Sequence, residues 1–276
     1  MGILDKIFGS TPDGPTREAE FAGVQYPREA DELREAVRGH LQAAEADDTP
    51  GLRGLVAPYG DYDYAGPVMG RAYAAARSVA DGVERVIVCA SSPRVPFRGL
   101  AVAGFGALGF PGGALPVDLE AVEASVEREL TRPVVPAFEP AAGMELQLPF
   151  VREVFGEVDL FAVLVGDGDA EEVAAFLDAF WDEETFLVVA GNLSEGLERQ
   201  EAEETDRRTI AALEALDEEG VTRQSTTARL PLQGAIRAAR GRNLSMSLAD
   251  YRTSAETAGR DELVVGYAAL LISRGP

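Results

Sequence analysis

One histidine, one cysteine and a single lysine in 276 residues exclude several kinds of enzyme chemistry before any motif is sought. His40 is the only imidazole, so Ser-His-Asp or Cys-His catalysis requires this one side chain to reach a sheet edge. Zinc, copper or non-haem iron held through several histidines fails by the same count. Cys89 has no partner for an intrachain disulfide, which fits a reducing compartment. It lies in the apolar run Val86-Ile-Val-Cys-Ala90, where a buried, inert thiol is expected. No apolar run approaches the roughly 18 residues of a membrane span. Met1 to Phe8 lacks the apolar core and small-residue cleavage site of a signal peptide, so a cytoplasmic location is expected. There is no P-loop, and no Gly-x-Gly-x-x-Gly between a strand and a helix.

Acid is what the chain has in abundance. Its 47 acidic against 25 basic residues leave a formal charge of −22, a surface that repels phosphate backbones and argues against nucleic acid as a partner. Lys6 is the only lysine. Sparse lysine with abundant Asp and Glu fits adaptation to high salt, and equally a GC-biased genome that replaces lysine with arginine.

The pattern of elements is α/β. Residues 1–16 carry little apolar periodicity and read as a tail, followed by one domain over 17–276 whose first part, 17–50, is an arm and a helix. Ala30, Leu33, Val37 and Leu41 recur at helical spacing and predict a helix over 28–45, with His40 beside its apolar stripe. Strands are expected at 53–57, 84–90, 100–105, 158–165, 185–190, 244–250 and 262–272. Helices are expected at 67–80, 118–130, 144–155, 170–180, 200–216 and 232–240. Phe110 to Asp118 reads as an extended, turn-rich link. This alternation gives a sheet covered by helices on both faces.

In such folds ligands bind at the carboxyl ends of strands. The richest loop of this kind is Leu55-Val-Ala-Pro-Tyr-Gly-Asp-Tyr-Asp-Tyr-Ala-Gly-Pro67, with Pro67 suited to the first turn of a helix. Asp167, Asp169 and Glu195 fall in other strand-end loops. With imidazole and thiol nearly absent, carboxylate and phenol are the remaining candidate groups. Asp61, Asp63 and Glu195, with Tyr59, make a candidate hard-cation site, Mg²⁺ and Ca²⁺ being taken by oxygen ligands.

Taken in order, Ala22-Gly23-x-x-Tyr26-Pro27, Ala57-Pro58, Tyr62, Tyr64, Gly66-Pro67, Gly99, Pro111-x-Gly113-x-Leu115-Pro116-Val117-Asp118, Met144-Glu-Leu-Gln-Leu-Pro-Phe150, Val163-Leu-Val-Gly166, Asn192-Leu-Ser194, Asp250-Tyr251 and Val264-Val-Gly-Tyr-Ala-Ala269 resemble the Memo family. Its bacterial and archaeal members are called AmmeMemoRadiSam system protein B. The resemblance covers nearly the whole chain after the tail and implies the fold of class III extradiol dioxygenases. It also implies a set of metal-binding histidines and a cysteine. At the matching positions this chain has Tyr59, Pro93, Ala142, Glu195 and Gln233. The resemblance therefore implies a vestigial pocket at those five residues, with Asp61, Tyr62, Asp63, Tyr64 and Glu145 as further ligand-binding candidates. It implies no iron, copper or zinc cofactor and a non-catalytic member, a pseudoenzyme that binds a small ligand or a protein. The alternative is a hard-cation-dependent enzyme using Asp61, Asp63 and Glu195. By family analogy an AMMECR1-like or radical SAM protein is the expected partner.

Overall fold

Four apolar strands of this chain, too uniformly hydrophobic to face water on either side, form the parallel centre of its sheet. The computed structural model describes residues 14–45, 49–92, 94–258 and 262–275. In chain order the first half runs β1 (Thr16–Arg17), α1 (Ala30–Ala43), β2 (Leu52–Ala57), α2 (Gly66–Ala76), β3 (Arg85–Ser91), β4 (Leu100–Val102), β5 (Ala107–Phe110), β6 (Gly113–Pro116), α3 (Leu119–Glu127) and β7 (Arg132–Pro133). The second half runs α4 (Ala142–Glu145), α5 (Leu148–Phe155), β8 (Asp159–Val165), α6 (Ala170–Phe180), β9 (Thr185–Ala190), β10 (Glu195–Leu197), α7 (Arg199–Glu214), α8 (Arg229–Gly241), β11 (Leu244–Thr253), α9 (Ser254–Ala258) and β12 (Val264–Arg274).

The main sheet has nine strands, in the order β10-β12-β2-β9-β3-β8-β4-β7, with β11 antiparallel to β12. Strands β2, β9, β3 and β8 are mutually parallel, while β12 joins β2 antiparallel and β4 joins β8 antiparallel. A separate sheet of three strands, β1-β5-β6, carries the N-terminal arm. Alternation along β3 sends Val86, Val88 and Ala90 into a core shared with α1, α2 and α5. Ile87 and Cys89 enter a second core under α6, α7 and α8. Both faces are therefore closed, and Cys89 is fully buried. Burial pushes its thiol up to about 12.

Several boundaries differ from the pattern reading, each for a local reason. Thr16, assigned to the tail, pairs in β1 with Ala107, while residues 1–13 lie outside the described ones. The predicted link at 110–118 is half of a hairpin, β6 pairing antiparallel with β5. Asp118 caps α3 as expected, its side chain accepting from the Ala121 amide at 2.8 Å. The predicted helix over 144–155 is broken at Gln147, because Pro149 has no N–H to bond backwards and must occupy the first turn of a new helix, α5.

His40 sits at the crossing of α1 and α2. A Cβ on Gly70 would meet the His40 carbonyl at 2.5 Å, and one on Gly66 would overlap the imidazole, so these two glycines let the helices touch. Burial lowers the His40 pKa, partly opposed by Asp63 and by a hydrogen bond from the imidazole to the Tyr62 backbone. An imidazole whose folded pKa lies below its ordinary value of about 6.5 leaves the unfolded chain binding more protons between the two values. Its contribution to stability is thus complete above the ordinary pKa and is lost as pH falls through the folded one. Urea denaturation of the wild type between about pH 7 and 5.5 is expected to lose stability with a slope that His40→Asn removes. Equal slopes in the two proteins would refute this assignment.

Candidate functional site

The loops after β2, β3, β8 and β9 meet at one edge of the sheet, and a cleft of about 550 Å³ opens between them. That size suits a small-molecule site. Its wall includes Tyr59 after β2, Ser91 to Phe97 after β3 (Pro93 lying outside the described residues), Val165 to Asp167 after β8, and Glu195. Arg223, Thr226, Thr227 and Arg229, from the segment entering α8, complete it.

Asn192, only 4% exposed, ties three of these segments together. Its Oδ1 accepts from the Tyr59 amide at 2.9 Å, and its Nδ2 donates to Glu195 Oε1 at 3.1 Å. Its backbone carbonyl accepts from the Thr226 hydroxyl at 2.6 Å, and its own amide donates to Thr227 Oγ1 at 2.9 Å. The loop it belongs to is held from behind by buried Asp206 of α7, which accepts from the Ser194 amide at 2.8 Å and from the Tyr251 hydroxyl at 2.9 Å. Only a glycine at 266 leaves room for that carboxylate. Burial, the largest influence, raises the Asp206 pKa against these hydrogen bonds.

The break in the predicted helix places Gln147 directly beneath the first loop. Its Nε2 donates to the Pro58 carbonyl at 3.0 Å, and its Oε1 accepts from the Tyr73 hydroxyl at 3.0 Å. The next turn, Asp61 to Ala65, is helical, with the Tyr64 and Ala65 amides donating to the Asp61 carbonyl. That turn sends Tyr62 into the core, where its hydroxyl donates to the Leu146 carbonyl at 2.7 Å.

The predicted site residues therefore separate. Tyr59 and Glu195 line the cleft together. Burial raises the Tyr59 phenol pKa and Glu195 adds to it, while a Thr227 hydrogen bond and Arg94 act the other way. Ala142 begins α4 just behind Tyr59: a Cβ on the adjacent Gly143 would lie 3.4 Å from that ring. Gln233 is turned away from the cleft, its amide donating to the carbonyls of Glu218 and Val221 at 3.0 and 2.9 Å. Pro93 lies outside the described residues.

The further ligand-binding candidates need correction. Tyr62 is a core residue. Asp63 and Tyr64 are exposed on the outside of the helical turn, and Asp61 Oδ1 accepts from the Asp63 amide at 2.9 Å. Glu145 is fully buried and already engaged by Arg17 Nη1 at 2.6 Å, the Tyr26 hydroxyl at 2.7 Å and the amides of Glu20 and Phe21. It fastens the N-terminal arm and has no free acceptor to offer a ligand.

Tyr267 of β12, which lies in a run of apolar residues, packs behind the first loop, its hydroxyl 3.3 Å from where a Cβ on Gly60 would sit. Its phenol is pushed up to about 12, first by burial and then by Glu195 and Asp61, whose charges it faces. Among the described residues no three His, Cys, Asp or Glu side chains converge where a metal ion would sit. Asp61, Asp63 and Glu195 do not make such a group among the described residues. The groups that line the cleft, phenol, hydroxyl, carboxylate and guanidinium, do not fit the imidazole set that the resemblance implies for a metal.

The sequence profile of the Memo-like protein family matches residues 17–271. The chain belongs to the Memo-like family. It is 29% identical over 289 aligned residues to a MEMO1 family protein of Methanopyrus kandleri, covering 94% of this chain and 99% of that one. It is 22% identical to a MEMO1 family protein of Aquifex aeolicus, covering 92% and 98%. Its backbone resembles the crystal structure of an uncharacterized Escherichia coli K12 protein with a TM-score of 0.52 and 13% identity, over 81% of this chain and all (100%) of that one. The Memo-like sheet flanked by helices is thus the class III extradiol dioxygenase-like fold. Among the described residues no helix is long and apolar enough to cross a membrane.

Proposed function

We propose that this Memo-like chain is a non-catalytic binding protein, which receives a small molecule in the strand-end cleft without a histidine-held metal. The observation that supports this reading is a cleft of about 550 Å³ at the strand ends, with Tyr59 and Glu195 in its wall. Asn192 and Gln147 fix the loops around it, through the Tyr59 amide, the Glu195 carboxylate and the Pro58 carbonyl. Metal analysis of purified protein, and titration with Fe²⁺, Cu²⁺ and Zn²⁺, test the metal-free part directly. The expected result is no stoichiometric transition metal and no saturable uptake. One equivalent of any of the three, lost on substitution of Tyr59 and Glu195, would sink the proposal.

A further inference from the structure

The sign of charge in the cleft is opposite to that of the molecule. A chain with 47 acidic and 25 basic residues places three arginines, Arg94, Arg223 and Arg229, around this one opening, against two acids, Asp167 and Glu195. In so acidic a protein a solvated surface patch would show the reverse ratio.

The three guanidinium groups are also available. Among the described residues neither Arg94 nor Arg229 has a carboxylate partner, and Arg223 makes only an exposed contact of 3.6 Å with Asp167. Such exposed pairs hold little free energy, so Arg223 can be redirected at small cost. Arg229 is better fixed. Its Nη1 donates to Gln233 Oε1 at 3.1 Å, and Gln233 is itself locked by the two carbonyls that take its amide hydrogens. At Gln233, one of the five positions where the family resemblance implies a metal ligand, this chain therefore has a residue that aims an arginine.

The setting of Arg229 strengthens the point. It occupies the first turn of α8, where the helix dipole already presents positive charge, and Ala228 supplies no side-chain cap. A cation placed there is opposed by its own helix unless an anion is brought to it. Thr226 and Thr227 add hydroxyl groups to the same wall.

We infer that the cleft takes a small oxyanion, the phosphate or carboxylate group of a metabolite, gripped by Arg94, Arg223 and Arg229, with Glu195 and Asp167 accepting hydrogen bonds from the rest of the molecule. This rests on the binding role proposed above and names the chemistry of the ligand. Guanidinium forks match either oxyanion with paired hydrogen bonds.

Isothermal titration of the full chain with inorganic phosphate and, separately, with succinate tests it. At least one of the two is expected to bind saturably, and the one that binds assigns the source as phosphorylated or carboxylated. Arg94→Gln, Arg223→Gln and Arg229→Gln are each expected to weaken it about tenfold or more, the scale of a lost hydrogen bond to a charged group. Arg240→Gln, an exposed change on the same helix outside the cleft, is expected to leave binding unchanged. Arg94 and Arg223 are exposed, so their variants should fold, and circular dichroism checks that they do. No binding of either anion, or binding that survives all three substitutions as an adventitious ion only, overturns the inference. Metal content measured on the same sample judges the metal-free reading separately, since a bound transition metal would overturn that reading whatever the anion result.

Discussion

Glu145→Ala is expected to lower the stability of the protein by about 3–5 kcal/mol, a large part of what a domain of ordinary stability has. The carboxylate is 0% exposed and its partner Arg17 is 5% exposed, so the pair is removed from water. Arg17 also donates to the carbonyls of Phe138 at 2.7 Å and Glu139 at 2.9 Å, which hold the guanidinium in place after the carboxylate is gone. The substitution then strands a buried cation together with the Tyr26 hydroxyl and the Glu20 and Phe21 amides. The pair as a whole is worth much less than this loss, because two desolvated charges repay little more than the cost of burying them. The double variant Arg17→Met with Glu145→Leu should therefore be more stable than Glu145→Ala alone. Urea denaturation measures both. A loss below about 1 kcal/mol for Glu145→Ala would show that the arm is not fastened by this carboxylate.

Asn192→Ala is expected to disable the cleft and to cost about 1–3 kcal/mol, because it leaves the partly buried Tyr59 amide without its acceptor and frees Glu195. Asn192→Asp separates the two roles of that side chain. It retains an acceptor for the Tyr59 amide but sets a second carboxylate where the amide nitrogen lay 3.1 Å from Glu195 Oε1. The two carboxylates repel each other when both are charged, so the variant should be closest to wild type at low pH and worst near neutrality. Stability curves across pH, with anion titration as the second readout, check this. If Asn192→Ala keeps both stability and binding, the loops are organised by something other than this amide.

Much of the fold was legible because its signals are local. The apolar runs around Val86, Leu160 and Thr185 read as strands, the stripe Leu33, Val37, Leu41 as a helix, and Asp118 as a cap, since each depends on residues near in sequence. The strand-end loops were legible for the same reason. The break at Gln147 was carried by Pro149 but masked by the apolar periodicity on either side. The antiparallel insertion of β12 beside β2 had no local signal, because strand neighbours are chosen by packing across the sheet.

For the site, the sequence by itself determined which chemistry is absent, one histidine and one cysteine being a matter of counting. It also named Tyr59 and Glu195, which line the cleft. Only the tertiary structure decided that Asp63 lies on the outside of a helical turn, that Glu145 clamps the arm, and that Gln233 serves Arg229. The physical reason is that residue type limits what a side chain is able to do, whereas its partners come from segments far away in the chain. The clearest case is the cleft itself: Arg94, Arg223 and Arg229 are unremarkable as letters in an acidic chain, and become an anion site only when the fold brings the loop after β3 and the segment entering α8 to one edge of the sheet.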